Sequence, residues 1–252
     1  MTKLIHRPTS RRGLLLAVGA GVLTLGLLAF AAVYFLLFPT SSPKPFSLGA
    51  AAGASTTPTV ASQPSSLAPA GTGIAGGWVI AGGSQAGYRV REKLGFLPAQ
   101  SDAVGRTSSI TGSATLADAA GIVSVTAASF KIAVNTLKSD QSMRDEKIHT
   151  IGLESDTYPT ATFALSSAVR LPSSALNGSV VHVPVSGMLE IHGTARRETI
   201  TVELKLSSST IEAVGSLTFP WSDFKMTAPS IGGFVNVTDK ATMEFSLHLK
   251  RA

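Results

Sequence analysis

Side chains that can transfer protons are concentrated in one stretch, MRDEKIHTIGLESDTYPTATF, at residues 143–163. Asp145, Glu146 and His149 suit general acid–base catalysis, but such groups need a pKa perturbed by burial or by a close like charge. Glu146 and His149 are spaced to share one helix face, yet a zinc site needs further ligands. A short amphipathic helix with its charges toward solvent is the simpler interpretation, and we expect no bound metal and no cofactor.

A serine that could act as a nucleophile lies in GGSQAG, residues 82–87. This sequence is close to the Gly-x-Ser-x-Gly motif, but Ala86 occupies the place of the second glycine. The motif also requires a helix after the turn, whereas YRVR at residues 88–91 alternates as a strand does. We therefore predict an ordinary turn. The chain has no cysteine, which excludes thiol nucleophiles, disulfides and cysteine-based zinc sites.

Three aromatic residues, Phe219, Trp221 and Phe224, are close together near the C-terminus. Aromatic side chains in such a group either pack in the core or at its rim, or contact a ligand. The sequence leaves both alternatives open for Trp221 and Phe224.

The elements that must position these residues are strands, because apolar residues after position 78 alternate with period two. From residue 181 to 191 the odd positions are apolar or small, and from 200 to 206 the even positions are apolar. Pro184 cannot donate to a sheet, so we expect this strand to be at an edge or bulged there. We count about eight strands, with the first two ranges taken as one, at residues 78–81, 86–93, 108–117, 121–134, 161–170, 180–192, 198–207, 211–221 and 234–250.

Many alternating strands with short joins predict an all-β, antiparallel fold, either a sandwich or a closed up-and-down barrel. The one helix that we predict covers residues 140–153, with Asp140 as its cap and two acids near its start. An eight-stranded barrel has room inside for side chains or for one slender ligand. Because the inner faces mix glycine and alanine with phenylalanine and leucine, we expect a cavity that favours an apolar chain over a sugar or nucleotide.

The N-terminal part of the chain has a different composition. Residues 13–38 carry no charge, and a helix of that length exceeds the ~30 Å hydrocarbon core of a membrane. Basic residues precede it, so the positive-inside rule keeps residues 1–12 in the cytoplasm and exports the rest. A cleaved export signal is the alternative. Residues 39–75 are rich in Pro, Ser, Thr and Ala and predict a disordered linker, which leaves residues 76–252 as the folded domain.

The net charge of +6 is concentrated before residue 75, where five basic residues and no acidic one occur. The folded domain is therefore nearly neutral and has no basic run, which gives no electrostatic footprint for nucleic acid. We expect no nucleic-acid partner. Nothing in the sequence indicates the oligomeric state.

The charged stretch and a later hairpin together resemble the signatures of the YceI-like family of lipid-binding barrels. The second signature is a Gly-x-Leu-x-x-His-Gly hairpin, found here in GMLEIHGTARRETITVEL at residues 187–204. WSDFKM and VTDKATMEFSLHLK are similar to the family's last strands, so the resemblance extends over about residues 78–250. Departures are Glu92 and Lys93 where a histidine is usual, and Lys225 where a glycine is usual. The matching residues that we expect to be structural are Arg144, Asp145, His149, Tyr158, Pro159, His192 and Gly193.

The resemblance implies an eight-stranded, lipocalin-like barrel that encloses a long isoprenoid, such as a polyprenyl chain or an isoprenoid quinone. It also implies that the helix at residues 140–153 closes one barrel end, and we name Arg144 with Asp145 or Glu154 as the ion pair that holds it. The residues that we expect to line the lumen and contact the lipid are Phe130, Ile132, Phe163, Leu165, Leu189, Ile191, Val202, Leu204, Leu217, Phe219, Trp221, Phe245 and Leu247.

Three functions follow from these observations. The first is a non-enzymatic carrier or store of an isoprenoid lipid, held by its N-terminal helix in a cell membrane with the barrel outside the cytoplasm. The second is an enzyme acting on a lipid or quinone, for which no catalytic group converges in the sequence. The third is an envelope scaffold with a filled interior, for which an exposed apolar patch would be the sign.

Overall fold

The structure, a computed structural model, describes residues 42–48, 73–94, 100–231 and 235–252. Contacts divide the chain into two units, Met1–Ser42 and Pro43–Ala252, and the fold below is that of the second. The predicted anchor at residues 13–38 and its cytoplasmic flank lie outside the described residues, as does most of the predicted linker. Among the residues described, no helix has the length and hydropathy of a membrane span.

Strands make up nearly all of the regular structure in the described part of the domain. One short α-helix, α1 (Ser142–Lys147), continues into a π-helical turn at Ile148–Gly152, and 3-10 turns occur at Val134–Thr136, Ser173–Asn177 and Trp221–Phe224. The strands are β1 (Gly76–Ile80), β2 (Gln85–Leu94), β3 (Gln100–Thr107), β4 (Ile110–Ala119), β5 (Ile122–Ala133), β6 (Thr160–Leu165), β7 (Val169–Arg170), β8 (Val181–Ile191), β9 (Thr194–Leu206), β10 (Thr210–Pro220), β11 (Ser230–Ile231) and β12 (Val235–Arg251).

The sheet closes on itself as a barrel. Its strand order is β1-β4-β5-β6-β8-β9-β10-β12, and β12 returns to pair with β1. β1 and β2 both pair with β12 and together act as one bent strand. On their other side, β4 pairs with β1 and β3 pairs with β2, so β3 and β4 act as the next bent strand. Because every pairing is antiparallel, this is an eight-stranded up-and-down barrel, and of the two architectures predicted from the sequence the closed one is confirmed.

The predicted turn in GGSQAG lies at the bend between β1 and β2. Ser84 is 2% exposed. Its hydroxyl accepts a hydrogen bond from the N–H of His248 at 2.9 Å and donates one to the carbonyl of Ala81 at 2.9 Å. The serine therefore holds the bend against β12. The structure confirms the prediction of a turn.

The predicted inward and outward faces of the strands agree with the burial pattern. In β8 the odd positions are buried or half-buried, and most even positions are exposed. Pro184 lies opposite Thr201 of β9, and on its other side β6 pairs with β8 only at residues 187–190. At Pro184, β8 is therefore paired with β9 on one side and with no described strand on the other. This is the local edge that the missing N–H of the proline predicted.

Glycines on the inner face do not leave the empty space that their small size suggests. A Cβ on Gly187 would collide with the ring of Phe163, and a Cβ on Gly215 would collide with the ring of Phe245. Gly105 faces Tyr88 in the same way, and Gly112 faces Phe130. The aromatic rings therefore occupy the volume that each glycine vacates, which is a known use of glycine in strands. Below, these four couples are called the glycine–aromatic pairs.

Two elements differ from the prediction. β3 is absent from the predicted strands, because QSDAVGRT has little apolar alternation before Ala103 and Val104. The helix predicted over residues 140–153 is shorter, and its N-cap is Gln141, which makes no side-chain capping bond. Asp140 was wrongly assigned as the cap because its carboxylate binds a side chain instead, as described below.

Part of the predicted linker lies against the outside of the barrel. The guanidinium of Arg106 is 3.8 Å from the ring centroid of Phe46. The N–H of Leu48 donates to the carboxylate of Glu203 at 3.0 Å. At residues 43–48 the chain is therefore held by a cation–π contact and hydrogen bonds, which differs from the expectation of a disordered linker at these positions.

Candidate ligand-binding lumen

An apolar cavity of about 210 Å³ lies inside the barrel. Strands from all around the sheet contribute to its wall, and its lining residues come from both core clusters. One cluster includes Trp78 and Leu249, and the other includes Ile148 and Trp221 next to α1. We call the second region the helical end of the barrel. The cavity therefore extends along the barrel interior.

Almost all of the predicted lumen residues line this cavity. Leu217 does not, although it packs half-buried against both core clusters. The predicted residues that do line it are Phe130, Ile132, Phe163, Leu165, Leu189, Ile191, Val202, Leu204, Phe219, Trp221, Phe245 and Leu247. That they contact a lipid remains a prediction.

Sequence reasoning missed many smaller lining residues. Ala114, Leu116 and Ala128 belong to β4 and β5, in which alanine, serine and threonine make the period-two pattern weak. Ile148 and Leu153 come from the helical end, where no alternation exists to guide the prediction. For β4 and β5 the pairing with neighbouring strands, rather than hydropathy, decides which side chains point inward.

Trp221 and Phe224, for which the sequence left core packing and ligand contact open, lie in different places. Trp221 lines the cavity, and its indole N–H donates to the carbonyl of Thr238 at 2.9 Å. Phe224 is fully buried and meets Phe219 edge to face at 4.8 Å between ring centroids, but it does not line the cavity. Trp221 is thus placed for ligand contact, and Phe224 is a core residue.

The ion pair that holds the helical end differs from the prediction. Arg144 binds Glu92 of β2 through two hydrogen bonds, Nε to Oε1 at 3.0 Å and Nη2 to Oε2 at 3.1 Å. It also binds Asp140, and neither Asp145 nor Glu154 is its partner. Burial, the largest single cause, would lower the pKa of Arg144, but the bonds to Glu92 and the charges of Glu92 and Asp140 together raise that pKa above its ordinary value. The prediction was wrong because the partner is 52 residues away along the chain.

A sequence signal for Glu92 exists in retrospect. Tyr88, Val90 and Glu92 alternate along β2, and all three are buried. The departure from the family pattern at Glu92 therefore places a carboxylate on the inner row of the strand, where the helix residue Arg144 meets it. Lys225, the other departure, adopts a left-handed backbone with φ of 56°, a conformation that suits glycine.

Asp145 and His149 are held by hydrogen bonds within the helical end. The backbone N–H of Ser139 donates to the Asp145 carboxylate at 2.8 Å, and Asp145 is 9% exposed. His149 Nε2 lies 3.2 Å from the carbonyl of Leu137, so this nitrogen carries the proton and donates. His149 Nδ1 then accepts from the hydroxyl of Ser155 at 2.6 Å. These contacts give both residues a structural role.

The two sequence signatures meet at the β8–β9 hairpin. His192 and Gly193 form its two-residue turn with φ of 53° and 64°, the positive values that this type of hairpin requires. Tyr158 packs on the His192 ring at 4.2 Å between centroids, and Glu154 binds His192 Nε2 at 2.9 Å. A Cβ on Gly193 would collide with Tyr158. The hairpin turn therefore fixes the segment that follows the helix.

Pro159 brings the chain back into the barrel wall. It directly precedes β6, and its carbonyl accepts a hydrogen bond from the N–H of Val134 at 2.9 Å. Val134 lines the cavity, so this bond joins the end of β5 to the start of β6 beside the lumen.

Across the described residues, no group of three or more His, Asp or Glu side chains could hold a metal ion.

The sequence model of the YceI-like domain matches residues 78–249, which is most of the chain and nearly all of the barrel. The chain belongs to the YceI-like domain family. The match begins in β1 and ends in β12, so the YceI-like domain is the whole closed barrel together with its helical end. No curated protein matches the chain in sequence.

Solved structures are similar to this chain at low sequence identity. A polyisoprenoid-binding domain from Saccharophagus degradans implicated in plant cell wall breakdown is 17% identical, with a TM-score of 0.52 over 71% of this chain and 99% of that one. BcnA from Burkholderia cenocepacia is 21% identical, with a TM-score of 0.47 over 65% and 95%. The YceI protein of Campylobacter jejuni is 12% identical, with a TM-score of 0.45 over 83% and 99%.

Proposed function

We propose that the YceI-like domain of this chain binds a long isoprenoid lipid in its lumen and carries or stores it without chemical change. The observation that carries the proposal is the cavity inside the barrel, whose wall consists almost wholly of aliphatic and aromatic side chains. Burying each CH₂ group of a ligand there stabilises the complex by about 0.8 kcal/mol, so a long chain needs few polar contacts. The similar domain from Saccharophagus degradans is described as polyisoprenoid-binding, which supports the same class of ligand here.

Two further observations favour binding over the alternatives. Asp145 and His149, the best candidates for acid–base chemistry, have their side chains committed to hydrogen bonds in the fold. The barrel interior is also open, whereas a scaffold would be expected to fill it. We further propose that the barrel lies outside the cytoplasm, held by residues 13–38 in the membrane, on the support of the charge distribution before residue 75.

The test is extraction of the full chain after purification from membranes in mild detergent, followed by mass spectrometry of the organic phase. We expect an isoprenoid in near-stoichiometric amount. Two neighbouring residues of β5 give a matched pair of variants, because Ala128 lines the cavity and Ala127 is exposed. Ala128→Phe should displace the lipid, and Ala127→Phe should retain it.

An extract without isoprenoid, or equal lipid content in both variants, would contradict lumen binding. The location of the barrel is tested separately, by protease treatment of sealed membrane vesicles of known orientation and by N-terminal sequencing. A mature N-terminus near residue 50 would replace the anchor by a cleaved signal.

A further inference from the structure

One polar side chain on the cavity wall lacks a partner. Tyr88 of β2 lines the cavity and is 9% exposed, and its hydroxyl makes no hydrogen bond to any residue that the structure describes. The other polar lining residues are engaged, since Glu244 binds Arg106 at 2.7 Å and Thr242 binds another threonine hydroxyl at 2.7 Å. An unsatisfied buried hydroxyl is costly and calls for an explanation.

Neighbouring groups do not supply the missing bond. The glycine–aromatic pair with Gly105 fixes where the Tyr88 ring lies. The hydroxyl of Ser139 is close enough to lower the pKa of Tyr88, but its bonding positions are taken. It donates to the carbonyl of Gln141 at 3.1 Å and accepts from the N–H of Gln141 at 3.2 Å and from Arg144 at 3.5 Å. Tyr88 belongs to the core cluster of the helical end, so its free hydroxyl marks that end of the lumen.

The charges around Tyr88 decide what kind of group would suit it. Within the described part of the barrel, Arg144 is the one cation that acts on the hydroxyl, and Glu92 already binds Arg144 through both carboxylate oxygens. Asp145 is close enough to act on it as well, and Asp140 also binds Arg144. An anionic head group would meet an excess of carboxylates. Burial, the largest cause, raises the pKa of Tyr88, so the phenol stays protonated and can donate.

We propose that the Tyr88 hydroxyl donates a hydrogen bond to an uncharged oxygen on the head group of the bound isoprenoid, at the helical end of the lumen. A quinone carbonyl and a prenol hydroxyl share this chemistry, and a phosphate or diphosphate does not suit the site. The isoprenoid tail then extends away from α1 toward Trp78 and Leu249. This inference rests on the proposed function, because it assigns the orientation and head-group class of the same ligand.

The experiment compares four tetraprenyl probes on the full chain in detergent, stripped of endogenous lipid. The probes are a tetraprenyl naphthoquinone, the corresponding alcohol, the diphosphate and a hydrocarbon without a head group. The variants are Tyr88→Phe and, as a matched control, Tyr158→Phe, whose ring packs on the hairpin turn and does not line the cavity. Affinity and the melting temperature of the ligand-free protein are both measured.

We expect Tyr88→Phe to weaken binding of the quinone, the alcohol or both by about 5- to 10-fold, the value of one hydrogen bond. Hydrocarbon binding should stay within about twofold, since no bond to it is lost. The ligand-free Tyr88→Phe protein should melt at the same temperature as wild type or higher, because an unsatisfied hydroxyl is removed. A merely structural tyrosine would instead lower the melting temperature and weaken all four probes together.

The outcomes separate the two proposals. If no probe binds the wild-type protein, the proposed function itself fails. If the probes bind but Tyr88→Phe leaves the quinone and alcohol affinities unchanged, or if the diphosphate binds as tightly as either, lumen binding stands and the role of Tyr88 is refuted. The quinone and alcohol arms show which of the two neutral head groups depends on the hydroxyl.

Discussion

Removing the charge of Glu92 should destabilise the helical end of the barrel. Glu92 and Arg144 have side-chain exposures of 8% and 14%, and they form two hydrogen bonds. Breaking a buried ion pair from one side typically costs 3–5 kcal/mol, because the remaining charge stays buried without its partner. Asp140 remains bound to Arg144 but is 45% exposed, so it offsets only part of that cost.

For Glu92→Gln we therefore expect a loss of about 2–3 kcal/mol in the free energy of unfolding. The double variant Glu92→Met with Arg144→Met removes both charges and keeps the apolar volume, so it should lie within about 1–2 kcal/mol of wild type. Glu190→Gln, on an exposed position of β8, is the control and should change stability by less than about 0.5 kcal/mol.

Urea unfolding of the full chain in detergent, followed by tryptophan fluorescence, measures these effects. The chain has two tryptophans, and Trp221 lies in the core cluster of the helical end while Trp78 lies in the other. A Trp78→Phe background thus reports on the helical end. The reasoning is refuted if Glu92→Gln costs no more than the control, or if the double variant is less stable than Glu92→Gln alone.

Three further predictions use other contacts. Asp145→Ala should lower the free energy of unfolding by about 1–3 kcal/mol, measured in the same urea assay, because a buried backbone N–H loses its acceptor; an unchanged midpoint would indicate a solvated carboxylate. Gly187→Ala should cost about 1–3 kcal/mol by overpacking, whereas Gly82→Ala, which has open space around it, should cost much less; equal losses would contradict the collision. Phe46→Ala should speed hydrogen exchange of the Leu48 N–H by about 2- to 5-fold through loss of the cation–π contact; unchanged exchange would show that the hydrogen bond alone holds residues 43–48.

Hydropathy alone predicted the strands that have one clearly apolar face, and it left a sandwich and a barrel as alternatives. Val202, Leu204 and their neighbours alternate cleanly, and the structure places them on the cavity wall. β3 was missed because polar residues fill most of its length, and its pairing with β2 identifies it as a strand. Leu217 satisfies the alternation of β10 but does not line the cavity; it packs against both core clusters instead, and hydropathy does not distinguish these two positions.

Contacts between distant residues were the least predictable part of the site. The sequence predicted the partner of Arg144 among acids close along the chain, whereas the folded barrel brings Glu92 of β2 to it. The free hydroxyl of Tyr88 was equally hidden, because a tyrosine in an alternating strand looks like any core aromatic. In both cases the sequence supplied the residue types, and only the three-dimensional arrangement shows which groups are paired.

The glycine–aromatic pairs help to set the width of the channel inside the barrel. Each ring takes up room that a glycine leaves beside the wall, so the widest side chains thicken the shell and do not constrict the channel. The pairs involve Gly105, Gly112, Gly187 and Gly215, which belong to four different strands. At Gly105 and Gly215, where ring atoms are the nearest neighbours of an added Cβ, one methyl group would push a ring toward the axis and narrow the channel at that height, without adding a charge. Homologues could thus be tuned to thinner or shorter chains one pair at a time.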